Sequence, residues 1–66
     1  MTHPFNVNDK VWLNDMEGRV NVPAIITAQP PANSNTWTIE FDGDNEYGLT
    51  GTHTVEFTTD LTPRDA

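Results

Sequence analysis

Asp42, Asp44 and Glu46 alternate along one short stretch, at the first, third and fifth places of a calcium-binding loop. The pattern then stops. Tyr47 stands where such a loop needs a sharp-turn glycine, and His53 where it needs a bidentate glutamate. The run therefore reads as a solvated acidic turn. With Glu40 nearby it is suited to attract a cationic ligand or an arginine-rich partner. His3 and His53 are the two histidines, cysteine is absent, and no spacing pairs the histidines within one element. A structural zinc site usually takes four ligands, often thiolates, so neither metal nor cofactor is expected. His53 has the chemistry of a general base. An enzyme would also need a nucleophile beside it in a pocket, and no glycine-rich phosphate loop is present. The chain is read as non-catalytic.

Aromatic residues are the second group with chemistry to offer. Trp12 lies between Val11 and Leu13, so an inward-facing pair on either side sends the indole outward. An outward indole serves an interface or ligand groove, or else a folded-over loop covers it. Ile25 is likewise off the apolar parity of its segment. Should the chain form a homo-oligomer, Trp12 and Ile25 are the expected contacts. Tyr47 and Leu49 sit in a glycine-rich stretch, where Tyr47 either binds a ligand or closes one end of the core. Trp37 shares the parity of Ile39 and Phe41 and is assigned to the core.

Extended segments must position these groups. Within each segment the large apolar residues keep one parity: Phe5, Val7, Val11 and Leu13; then Val20, Val22, Ala24 and Ile26. Trp37, Ile39 and Phe41 follow, then Val55 and Phe57. Alternation of this kind describes strands that each send one face into a shared core. The first strand spans Phe5 to Leu13 with an interruption at Asn8-Asp9, and the second about Val20 to Ala28. Pro23 lies inside the second and cannot donate to a ladder, which predicts an edge or bulge there. Residues 37–41 form the third strand and 52–58 the fourth, with a last short extended segment near Leu61. No window carries a helical stripe. The expected fold is all-β, a small five-stranded barrel forming one domain over residues 1–66, since closure removes exposed sheet edges.

Size and charge restrict the partners. A chain of 66 residues buries only about 60% of its unfolded surface, so either tight packing or self-association must stabilise it. Three basic residues, Lys10, Arg19 and Arg64, face ten acidic ones, for a net charge of −7. Three scattered cations make no phosphate-binding stripe, so direct nucleic-acid binding is not expected. No apolar run approaches the ~20 residues of a membrane span, and the amino terminus has no secretory pattern, so a cytoplasmic protein is expected.

Four segments, in order, resemble a known family. Val7-Asn8-Asp9-Lys10-Val11-Trp12-Leu13 is similar to the opening strand of SH3-like barrels of the Tudor type, with Asn8 where glycine is usual. Val22-Pro23-Ala24-Ile25-Ile26 resembles their second strand, Ile39-Glu40-Phe41-Asp42-Gly43 the third, and Asp60-Leu61-Thr62-Pro63 the closing segment. The resemblance implies a Tudor-like barrel that holds a methylated cationic side chain in an aromatic cage. Trp12 and Phe41 match two cage positions, while Val22 and Asp44 replace the other two aromatics and Tyr47 follows nearby.

The expected function is a binding module that takes a basic peptide or cationic group of a protein partner through Trp12, Phe41, Asp42, Asp44 and Tyr47. The alternative is a small free-standing inhibitor or sequestering protein of the kind a phage encodes, acidic enough to mimic nucleic acid. An oligomer with a small-molecule pocket between subunits is a third possibility.

Overall fold

The computed structural model describes residues 4–14, 18, 20–43 and 45–64. Five strands, β1 (Lys10–Leu13), β2 (Val22–Ala28), β3 (Trp37–Phe41), β4 (Thr52–Val55) and β5 (Leu61–Pro63), form one antiparallel sheet in the order β4-β3-β2-β1-β5. A 3₁₀ turn, Thr58–Asp60, leads into β5, and no α-helix occurs among the described residues. The fold is all-β, as the alternation implies. Among the described residues β4 and β5 each pair on one side only, so the ladder is open rather than closed.

One face of the sheet supplies the core. Val11, Leu13, Val22, Ala24, Ile26, Trp37, Ile39, Phe41, Val55 and Leu61 are buried together, joined by Phe5. The register explains the sharing of a face: Val11 lies opposite Ala24, Leu13 opposite Val22 and Leu61, Ile26 opposite Ile39, and Trp37 opposite Val55. Trp37 is only 1% exposed. Its indole N–H donates to Thr58 Oγ1 at 2.8 Å, which satisfies the one polar atom the ring carries inward. Phe5 meets it edge-on, with ring centroids 5.7 Å apart.

Three residues expected in the core are exposed instead: Val7, Val20 and Phe57. The backbone gives the reason in each case. Asn8 adopts φ +77° within a turn closed by Asp9 N–H donating to Asn6 O, so the alternation of β1 does not extend back to Val7. Asn21, at φ +54°, separates Val20 from β2 in the same way. The fourth strand ends at Val55, three residues short of the expected end, and Phe57 immediately precedes the 3₁₀ turn. A positive-φ residue or a bend resets the two-residue period on which the parity depends.

Pro23 is the other correction. It lies in β2, an interior strand between β1 and β3, rather than at an edge. The sheet's irregularity falls elsewhere, between Ile26 and Ala28. Asp42 N–H donates to Pro23 O at 3.0 Å. In a closely spaced antiparallel pair the return bond would run from residue 23 to Asp42 O, and proline has no N–H to make it. Asn45 Nδ2 donates to Asp42 O at 2.8 Å in its place. A side-chain amide thus completes the ladder that proline leaves unfinished.

Candidate functional site

The outer face of the sheet carries the candidate site. Burial along β1 alternates, with Val11 and Leu13 buried and Trp12 half-buried on the opposite side. Trp12 lies across from Pro23 on β2 and Thr62 on β5. Directly opposed residues share a face, so the indole has a proline on one flank and a threonine on the other. Ile25 is half-buried on the same face, opposite Lys10 and Glu40.

Beyond β5 the chain continues the pairing for one residue: Arg64 N–H donates to Lys10 O at 3.1 Å. By alternation from Leu61, which is buried, Thr62 and Arg64 point outward. The Arg64 side chain crosses the face of β1. Its guanidinium carbon lies 5.4 Å from the centroid of the Trp12 ring, within cation–π range. One terminal nitrogen lies 3.2 Å from Asp42 Oδ2, and the other donates to Ala24 O at 3.1 Å. An aromatic face, a carboxylate and a backbone carbonyl therefore converge on one planar cation. The Arg64 side chain is 10% exposed, against 37% for Asp42. Arg64 Nε is buried without a hydrogen-bond partner among the described residues.

Asp42 owes its position to the loop behind it. It leaves β3 with outward parity after buried Phe41, and its own backbone is held on both sides, by Pro23 O and by Asn45 Nδ2. Asn45 organises the rest of the loop. Its amide also donates to Leu49 O at 2.7 Å, while its Oδ1 accepts from the N–H groups of Tyr47 and Leu49. Gly48 and Gly51 provide the positive-φ positions this tight path requires.

The structure thus unites two of the expected site residues, Trp12 and Asp42, through Arg64. It does not bring the others to them. Phe41 is buried on the core side, with its ring 5.7 Å from that of His53, so it faces away from Trp12. Tyr47 is half-buried against the core, and its hydroxyl donates to Val20 O at 3.2 Å. Asp44 lies outside the described residues. Glu46 is exposed in the loop, and among the described residues no group of three or more His, Asp or Glu side chains is arranged to hold a metal ion.

Two contributors were missed by sequence reasoning. Arg64 reads in the sequence as one of three dispersed cations, yet it follows the proposed closing segment by one residue and shares the outward parity of Thr62. That parity was the available signal. Asn45 lies within the run read as an acidic turn, and nothing in that reading reveals its four bonds. No helix among the described residues is long and apolar enough to cross a membrane. Comparison with protein-family models, with curated proteins and with solved structures found no match.

Proposed function

We propose that this chain is a non-catalytic binding module, an SH3-like barrel of Tudor-like form, that holds a cationic group of a basic protein or peptide against Trp12 and Asp42. The fold assignment draws support from the strand order, in which β1 lies between β2 and β5, and from the 3₁₀ turn that introduces β5. The functional reading rests on one observation. Trp12 and Asp42, singled out as ligand contacts, both engage a guanidinium, that of Arg64.

The chemistry of the site favours a planar cation. A guanidinium stacks on an indole while its edge still donates to a carboxylate and a carbonyl. An ammonium has no flat face to lay on the ring and is more strongly hydrated. The net charge of −7 adds a long-range attraction for basic partners. A single indole is a partial enclosure, so the carboxylate supplies what further ring faces would provide in an aromatic cage.

Titration with a panel of arginine- and lysine-containing peptides, followed by the Trp12 indole N–H resonance, tests this reading. Binding should weaken at least about tenfold, the equivalent of 1.4 kcal/mol, in a folded Trp12→Ala variant measured calorimetrically. Undiminished affinity in that variant overturns the proposal.

A further inference from the structure

The cation already in the site belongs to the chain itself, and this has a consequence for how any partner reaches Trp12. We infer that the site is closed in cis: Arg64 is its resident occupant, and an arginine side chain of a partner binds by displacing the Arg64 guanidinium. The inference rests on the binding-module reading above and adds its regulation and its ligand class.

Four observations support displacement over a fixed clamp. The Arg64 backbone is tied to Lys10 O independently of its side chain, so releasing the guanidinium leaves β5 paired with β1. The ion pair with Asp42 is a single 3.2 Å contact rather than a two-point fork, and among the described residues the other carboxylate oxygen takes no hydrogen bond. Asp42 is the more exposed partner, so an incoming cation meets it before Arg64 has left. Finally, the resident group is incompletely satisfied: its Nε is buried without a partner among the described residues, a state that buried donors rarely adopt.

The displaced side chain also has somewhere to go. A cavity of about 270 Å³ borders Arg64 and is lined by Pro4, Phe5, Asp9, Lys10 and Pro63. Asp9 also lines that cavity, with Oδ2 accepting from Asn6 N–H at 2.8 Å and Oδ1 taking no hydrogen bond among the described residues. In the inferred open state the side chain rotates from the Asp42 carboxylate toward that of Asp9. A second position there, beside the Asp9 carboxylate, would make the side chain a two-state element, and a ligand selective for the open state would shift its population.

The test compares the unmodified chain with Arg64→Gln, using N-acetyl-arginine amide as the probe and calorimetry as the readout. If Arg64 fills the site nine-tenths of the time, its removal should tighten binding about tenfold. In the double variant Trp12→Ala, Arg64→Gln the gain should vanish. Equal affinity for the unmodified chain and a folded Arg64→Gln variant overturns the cis closure while leaving the binding-module reading intact. Failure of both to bind overturns that reading and the closure with it. Should Arg64→Gln not fold, the unmodified chain decides. Saturating probe should move the Arg64 Nε–H resonance while the amides of Lys10 and Thr62 stay in place. An unmoved Arg64 signal, with the Trp12 indole shifted, overturns the closure.

Discussion

The two tryptophans of this chain occupy opposite faces of the same sheet, and their surroundings differ in kind. Trp37 is sealed in the core, its ring met edge-on by Phe5 and its N–H given to Thr58. Trp12 is half-buried on the outer face, and what covers it is a charged side chain drawn from the end of the chain. An apolar environment makes the first indole a fixed part of the fold. The second is covered by a single polar layer, the one that the proposed displacement of Arg64 would exchange. Stability should therefore depend on Trp37 and recognition on Trp12.

The widest separation between them should appear on truncation. Trp37→Ala removes a fully buried aromatic and should cost about 3–5 kcal/mol. A domain of this size has a total stability of roughly 3–10 kcal/mol at typical per-residue values, so the variant should be largely unfolded in urea titrations. A loss within about 0.5 kcal/mol, the level of an ordinary surface change, would remove the contrast altogether.

Asn45→Ala comes next, because it strikes the support of the outer site from behind. The side chain makes four hydrogen bonds and completes the ladder opposite Pro23. Loop carbonyls can recover water on opening, so the expected cost is about 2 kcal/mol rather than the sum of four losses. Chemical shifts of Tyr47 and Asp42 should move while those of Val11 and Ile39 do not. If the core signals moved as far, the loop and the core would be one unit and the two faces would not be separable.

Trp12→Ala should cost only about 1 kcal/mol in stability, in line with a partly exposed cation–π contact and modest packing against Pro23. Urea unfolding followed by the remaining Trp37 fluorescence measures it. A cost equal to that of Trp37→Ala would make Trp12 a core residue in energetic terms and undermine its assignment to binding.

The difference between the two faces also marks what the sequence could disclose. Alternation at Val11-Leu13, Val22-Ala24-Ile26 and Trp37-Ile39-Phe41 is a local property, so the core and the outward placement of Trp12 were legible from it. It failed where a backbone reset intervened, at Asn8, Asn21 and the bend before Phe57, because parity carries no information across a positive-φ residue. Assembly of the candidate site was less legible. Trp12 and Asp42 were identifiable by type, but their common partner Arg64 lies 22 residues beyond Asp42 in the chain. Only the pairing of β5 with β1 brings it across. Phe41 was assigned to the site by family resemblance, and the structure buries it on the core side, as its inward parity implies.

The smallest effect expected is that of Asp42→Asn, and it separates the charge of the outer site from its shape. Asparagine keeps the size of the side chain and an acceptor for the Arg64 contact but removes the charge. Because the Asp42 side chain is 37% exposed, solvent screens the pair, and the cost should be about 0.2–1 kcal/mol. Salt provides the check. The Debye length falls to about 3 Å at 1 M, comparable to the contact itself, so the stability difference between the variant and the unmodified chain should shrink as salt rises. A difference that persists undiminished at high salt would mean that Asp42 acts through hydrogen-bond geometry alone. The outer site would then discriminate ligands by shape, as the core does, rather than by charge.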